Sequence, residues 1–326
     1  MSELAGIPPH EPMLTVFIAT RNGSRTLTHV LNNFARIQAP ASGWKLVVVD
    51  NGSTDRTREI IESFLTVLPL TYLFEGNLGK NAALNTGLAH LAGDLAVFTD
   101  DDVFPRSDWL LQLRKAADDH LSYSIFGGVI LPRWEVPPSP WVGWVPPAPV
   151  FAITDPRLRE GPTDSGFLFG PNIAIRADVF YAGTRFDPSI GPRGAEYPMG
   201  SEAELLQRLK RQGHEAWYAQ EAVVEHFIRD YQISKSWMLK RAIRFGRGQL
   251  RLLKTSETTA LGWFGLPGRF FFLRMLKRFV TISTAWLKSD EQKMFLARWE
   301  LNCFWGQVVE ARVLRRRRQF QGDKEA

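Results

Sequence analysis

The chain has 326 residues, of which 44% are hydrophobic and 23% charged, enough apolar material for one large core or two smaller ones. A single cysteine, Cys303, excludes an internal disulfide and fits a reducing compartment. The net charge of +6 hides an uneven split: Phe227 to Ala326 carries 21 Lys/Arg against 8 Asp/Glu, so the preceding part is net acidic, and a basic third on an acidic body points to an anionic partner surface.

Met1 to Pro12 has prolines and acids where a signal peptide needs a basic start and an apolar run, and reads as a tail. No stretch reaches the ~18 uncharged apolar residues of a spanning helix. These features predict a cytoplasmic protein. Leu14 to Thr20 is an apolar run closed by the turn signal Arg21-Asn22-Gly23; Ser24 then offers a cap to a helix with Leu27, Val30, Leu31 and Phe34 on one face. The pattern repeats. Leu46 to Val49 runs into Asp50, Asn51-Gly52 turns, Ser53 or Asp55 caps, and Ile60, Ile61, Phe64 and Leu65 make the apolar face. Thr71 to Phe74 is a third strand, followed by Gly76 to Gly79 and a helix bearing Leu84, Leu88 and Leu91. Leu95 to Thr99 is the fourth run and ends in three successive carboxylates, Asp100, Asp101 and Asp102; Ser107 then caps a helix with Trp109, Leu110 and Leu113.

Strands alternating with helices imply right-handed crossovers, hence an α/β fold with a largely parallel sheet flanked by helices. Carboxylates at the carboxyl end of such a strand sit in the crevice where open α/β sheets bind ligands. Three adjacent acids repel one another, and a hard divalent cation, Mg²⁺ or Mn²⁺, would neutralise them while leaving positions for phosphate oxygens; the plain alternative is a solvated acidic turn. Beyond this unit, Ile125 to Ile130 reads as a strand and the Pro/Trp-rich stretch Pro132 to Pro149 as a long loop. Gly170 to Arg176 reads as a turn and strand, and a helix starts at Ser201 with Leu205, Leu206 and Leu209 on its apolar face.

Six ordered motifs carry a resemblance: Ala19-Thr20-Arg21-Asn22, Val49-Asp50-Asn51-Gly52-Ser53-Thr54-Asp55, Gly79-Lys80-Asn81-Ala82-Ala83-Leu84-Asn85, Asp100-x-Asp102, Gly170-Pro171-Asn172 and Gly200-Ser201-Glu202-Ala203-Glu204-Leu205. Over Leu14 to His226 the chain is similar to the inverting family-2 glycosyltransferases of the GT-A fold. The resemblance implies a GT-A catalytic domain over 13–226; the rest, 227–326, reads from its charge and spacing as a mostly helical basic region. It implies a nucleoside diphosphate-sugar donor, a divalent metal, and a sugar or lipid-linked acceptor in glycan, glycolipid or exopolysaccharide synthesis.

The resemblance also assigns roles. Asp50, flanked by Thr20 and Arg21, matches the acid that accepts an imide or amide N–H of the base; alternatively it caps the next helix. Lys80 and Asn81 match a basic-polar pair near the nucleotide, with a solvated helix-start lysine as the alternative. Asp100 would hold the ribose and support the metal, Asp102 would ligate it, and Asp101 is the spacer. Asn172 matches a position on the acceptor side, or is a turn residue. Glu202 matches the catalytic base, although the family often shows Glu-Asp where this chain has Ser201-Glu202. Glu204 is expected to close a capping box with Ser201. His226 matches a histidine approaching the metal or diphosphate, or ends a strand. Trp141 and Trp144 belong to a lid or to packing. A nucleotidyltransferase and a non-catalytic nucleotide-sugar-binding or membrane scaffold protein are the alternatives; Arg21-Asn22-Gly23-Ser24 is a poor phosphate loop for the first, and Asp102 with Glu202 argues against the second.

From Arg269 to Lys288 the residues read as an amphipathic helix, with Arg274, Lys277, Arg278 and Thr281 on one side and Phe272, Met275, Phe279 and Ile282 on the other. An apolar face bordered by cations suits a helix lying on an anionic membrane surface, peripherally at the inner face of the cell membrane, rather than crossing it. The alternative is that this face packs on the catalytic body. The acidic body and the lack of a reading module speak against nucleic acid.

Overall fold

The computed structural model describes residues 13–145, 150–194, 196–252 and 268–325, with the side chains of 268–272, 274, 275 and 317–325 outside that description. Its strands are β1 (Leu14–Thr20), β2 (Trp44–Asp50), β3 (Leu70–Phe74), β4 (Leu95–Asp100), β5 (Val103–Pro105), β6 (Ile125–Trp134), β7 (Gly161–Thr163), β8 (Ile173–Arg176) and β9 (Ala216–Ile228). They form one sheet in the order β3-β2-β1-β4-β8-β6-β9-β5, with β7 on β9. The α-helices used below are α1 (Leu27–Phe34), α2 (Thr57–Ser63), α3 (Lys80–Leu88), α4 (Trp109–Asp119), α5 (Ala177–Tyr181), α6 (Ser201–Arg211), α7 (Lys235–Leu252), α8 (Gly268–Leu287) and α9 (Glu291–Glu325).

The half β3-β2-β1-β4 is parallel, as the β-α alternation predicts. The rest is mixed: β8 runs antiparallel to both β4 and β6, and β9 runs parallel to β6. Successive strand side chains point to opposite faces, which divides the core in two. Val16, Ile18, Val48 and Val97 pack with α1 and with Trp109, Leu110 and Leu113 of α4. Phe17, Val47, Val49 and Phe98 pack with Ala83, Leu84 and Leu88 of α3 and with Leu205, Leu206 and Leu209 of α6.

Several local expectations are corrected. Ser24 does not cap α1: the Thr26 and Leu27 N–H groups donate to the Gly23 carbonyl, forming a tight turn before the helix. The helix after Ser107 begins at Trp109 with no side-chain cap, and the Ser107 carbonyl accepts from the Gln38 N–H instead. At α2 it is Asp55, not Ser53, that accepts the Thr57 N–H, at 3.0 Å. The strand β6 continues through Pro132, where the predicted loop should have begun. Beyond Gly127 it pairs only with β9, so a proline without an N–H fits its open side. Trp141 and Trp144 are packing residues: their rings lie 5.8 and 6.0 Å from that of Phe295 on α9, and neither faces the main cavity.

In the C-terminal region α7 and α9 meet at glycines. A Cβ on Gly246 would strike the Cys303 carbonyl, and one on Gly306 the Ile243 carbonyl. One turn beyond Gly306, Glu310, fully buried, accepts from Arg247 Nε at 2.8 Å and Arg251 Nε at 2.5 Å. Removing one member of a buried ion group strands the others. Glu310→Ala is therefore expected to lower unfolding free energy by about 3–5 kcal/mol, measured by urea denaturation; a loss below about 1 kcal/mol would show that the pairing adds little.

The amphipathic helix is present as α8, but its exposed face differs from the expected one. Leu273, Leu276, Phe279, Val280, Trp286 and Leu287 are all exposed, while Arg278 pairs with Glu300 on α9. Phe272, Arg274 and Met275, which the pattern placed on its two faces, have side chains outside the described residues. No described helix is long and apolar enough to cross a membrane.

Candidate active site

The carboxyl ends of β1, β2 and β4 lie level, with Thr20 opposite Asp50 and Ala19 opposite Asp100. Here β4 has a parallel neighbour on one side and an antiparallel one on the other, and chains departing in opposite directions open a crevice. A cavity of about 520 Å³ occupies it, with Thr20, Arg21, Lys80, Asp100 to Asp102, Glu202 and His226 in its wall.

Lys80, at the start of α3, ties two of these acids together. Its Nζ lies 2.5 Å from Asp100 Oδ1 and 2.6 Å from Glu202 Oε1. Burial alone would push its pKa down, but the charges of Asp100 and Glu202 outweigh it and the pKa is raised. Lys80 is thus a paired cation rather than a solvated one. Glu202 projects from the first turn of α6, whose N-cap is Gly200 in the left-handed region (φ +104°). Its carboxylate lies against Gly170, where any Cβ would displace it. The expected capping box between Ser201 and Glu204 does not form: no side chain caps α6, and Glu204 bonds Arg208 at 3.0 Å.

Asp101 turns back under β1, where Thr20 Oγ1 donates to its Oδ2. Burial, and then the neighbouring charge of Asp102, push its pKa up to about 7. Gly23 is needed beside it, since a Cβ there would meet Thr20 Oγ1 and the Asp101 carboxylate.

Asp102 is positioned by a pairing that the sequence did not reveal. The short strand β5 runs antiparallel to the end of β9 with Val103 opposite His226, and the Phe227 N–H donates to the Asp102 carbonyl at 2.9 Å. This brings Arg229 Nη1 to 3.0 Å from Asp102 Oδ2 and His226 Nε2 to 3.6 Å from Oδ1. His226 Nδ1 lies 2.6 Å from the Phe151 carbonyl. A carbonyl only accepts, so Nδ1 carries a proton and Nε2 is the ring nitrogen turned toward Asp102, the one a metal ion would meet. A hard cation bound by one carboxylate and one imidazole, completed by phosphate oxygens and water, fits this donor pair. Among the described residues no group of three or more His, Cys, Asp or Glu could enclose a metal unaided.

Three predicted site residues do not reach the cavity wall. Asp50 is buried; its Oδ1 accepts the Ser53 N–H at 2.9 Å, holding the turn after β2. Asn81 is buried, with Nδ2 donating to the Asp187 carbonyl at 2.7 Å. Asn172 is a correction of kind: its Oδ1 accepts from Trp109 Nε1 and its Nδ2 serves the Val129 and Ala222 carbonyls. Those carbonyls flank the register shift between β6 and β9, so Asn172 satisfies a buried bulge with both of its amide N–H groups and is turned into the core.

Sequence reasoning missed Asn51, Arg229, Tyr197 and Arg241. Asn51, read only as a turn residue, donates to the Glu75 and Asn77 carbonyls and accepts the Gly79 N–H at 2.6 Å, fixing the loop that delivers Lys80. The other three come from beyond the strand-helix repeats.

A parallel half-sheet with acids at its carboxyl edge, joined to a mixed half and faced by a glutamate on α6, is the arrangement of the GT-A fold. The model of glycosyl transferase family 2 matches residues 15–183, more than half of the chain, and the chain belongs to that family. It is 26% identical over 243 residues, 74% of each chain, to glycosyltransferase AglE of Haloferax volcanii. It is 35% identical over 102 residues, 31% of this chain and 24% of the other, to validoxylamine A glucosyltransferase of Streptomyces hygroscopicus subsp. jinggangensis. Among solved structures, mannosyltransferase PcManGT of Pyrobaculum calidifontis in complex with GDP-Man and Mn²⁺ superposes with a TM-score of 0.58, at 17% identity, covering 95% of this chain and 89% of that one. Staphylococcus aureus TarS 1-349 in complex with UDP-GlcNAc gives 0.55 at 15% identity, covering 88% and 90%. The family assignment sets aside the nucleotidyltransferase and scaffold alternatives.

Proposed function

We propose that the chain catalyses metal-dependent, inverting transfer of a sugar from a nucleoside diphosphate-sugar to an acceptor hydroxyl in glycan, glycolipid or exopolysaccharide synthesis. The observation that carries this reading is the convergence of Glu202 and Asp100 on Lys80, with Asp102 and His226 in the same cavity wall. Glu202 takes the proton from the acceptor hydroxyl as its oxygen attacks the anomeric carbon from the face opposite the diphosphate. The anomeric C–O bond breaks, its electron pair leaves with the diphosphate, and the configuration inverts. Lys80 orients Glu202 through the ion pair. Asp102 and His226 Nε2 would hold Mg²⁺ or Mn²⁺, which when bound supplies positive charge to the departing diphosphate. Arg21, exposed in the cavity wall and without an ion-pair partner among the described residues, is placed to meet donor charge. Asp50 and Asn81 act by shaping the nucleotide side. GDP-Man with Mn²⁺ in PcManGT and UDP-GlcNAc in TarS support the donor class. The test is a panel of UDP-, GDP- and dTDP-sugars with and without Mn²⁺, read by product mass. One donor turned over only with metal is the expected result; turnover of none, or equal turnover after chelation, contradicts the proposal.

The same reading places the enzyme peripherally on the cytoplasmic face of a membrane, where a lipid-linked acceptor resides. The exposed Leu273, Leu276, Phe279 and Val280 on α8, with Lys277 among them, support it. Wild type is expected to co-sediment with anionic vesicles and poorly with neutral ones. Leu276→Gln combined with Lys277→Glu is expected to weaken the anionic binding about 100-fold, the scale of one apolar side chain and one cation. Equal sedimentation of both proteins contradicts this placement.

A further inference from the structure

Two arginines on α7 have no ion-pair partner among the described residues. Arg241 lines the cavity that contains Glu202. Its guanidinium lies 5.2 Å from the ring centre of Trp237; that of Arg244, one turn on, lies 5.3 Å from Tyr197 and 5.9 Å from Trp237. Aromatic faces steady a cation but leave its in-plane N–H groups unused. The Nε of each is buried and has no acceptor among the described residues. Most of the nearby acids already have cations: Asp102 has Arg229, Asp100 and Glu202 share Lys80, and Glu310 takes Arg247 and Arg251, while Asp101 takes the Thr20 hydroxyl. Burial pushes the Arg241 pKa down, and Arg244 pushes the same way against the pull of Tyr197, Asp102 and Asp100. Two half-buried like charges one turn apart, the first of them in the cavity wall, are costly until an anion arrives.

The position of α7 says which substrate brings that anion. The Met199 N–H donates to the Arg244 carbonyl at 3.1 Å, and Gly248 lies so close to the Met199 carbonyl that a Cβ would collide with it. The Arg241 to Gly248 stretch is therefore docked on the segment that runs through Gly200 into Glu202. An acceptor that gives its hydroxyl proton to Glu202 enters the cavity that Arg241 also lines. We propose that Arg241, supported by Arg244, holds an acidic group of the acceptor, a phosphate or carboxylate, so that the natural acceptor is anionic. This rests on Glu202 being the base; the site itself rests on the unpartnered guanidiniums.

Methyl phosphate and acetate serve as probes, titrated calorimetrically into the full chain alone and after saturation with Mn²⁺ and UDP or GDP. Methyl phosphate or acetate is expected to bind wild type in addition to the nucleotide, and the stronger of the two identifies the acidic group. Arg241→Gln is expected to weaken that probe at least tenfold, Arg241→Lys less, and both to leave nucleotide affinity within about twofold. Unchanged melting temperatures certify the fold of the variants. Three results overturn the inference: neither probe binds wild type, the variants bind as wild type does, or nucleotide displaces the probe and the variants lose both, which makes Arg241 a donor residue. Failure of nucleotide to bind wild type counts instead against the proposed function, and the probes titrated alone still decide for or against the anion site.

Discussion

Glu202→Gln is expected to reduce kcat by about 10² to 10⁴, the contribution of a positioned general base, while leaving donor affinity within a few-fold. The substitution keeps the side chain's size against Gly170 and its hydrogen bond to Lys80, but an amide cannot take up the acceptor's proton. Glu204→Gln, two residues on, removes only the pairing with Arg208 on the outer side of α6, and is expected to change kcat by less than threefold, as loss of a partly exposed ion pair does. Steady-state kinetics on the two variants separate these roles. If Glu204→Gln proves the more damaging, the base has been assigned to the wrong carboxylate.

Much of this site is legible in the chain because its first half folds by local rules. The four apolar runs ending at Thr20, Asp50, Phe74 and Asp100 each meet a turn and then a helical face, and every one becomes a parallel strand with its end in the same edge. Carboxylates at those ends could be placed near one another without coordinates. The helix starts were read less well. Ser24, Ser107 and Ser201 all resemble caps, yet the first turns of α1, α4 and α6 are set by backbone turns and by Gly200, since a serine's propensity yields to the tertiary path of the chain. The place of Arg229 and Arg241 was hidden for a different reason: the sequence shows Arg241 only as one of several C-terminal cations that could meet an anionic lipid surface. Arg229 reaches Asp102, 127 positions away, through the β5–β9 register, and Arg241 reaches the cavity because Gly248 lets α7 close on Met199. Neither pairing leaves a local periodicity. Asn172 shows the converse: a residue placed in the site by its motif is held inside by two bulge carbonyls and a tryptophan N–H.

Asp102 is the other position with a large expected effect. Asp102→Ala removes one of two candidate metal donors and leaves Arg229 without its carboxylate, and it is expected to abolish measurable transfer and weaken metal-dependent nucleotide binding at least about 100-fold. Asp102→Asn, which keeps the volume and a hydrogen bond to Arg229, separates loss of the metal from local disturbance. The most direct test of a metal-bridged donor site is calorimetric titration of UDP and GDP into wild type with Mn²⁺, again after exhaustive chelation, and into Asp102→Asn with Mn²⁺. One nucleotide binding wild type with Mn²⁺, at least tenfold more weakly after chelation and in the variant, is the predicted result; nucleotide binding of equal strength in all three would contradict it.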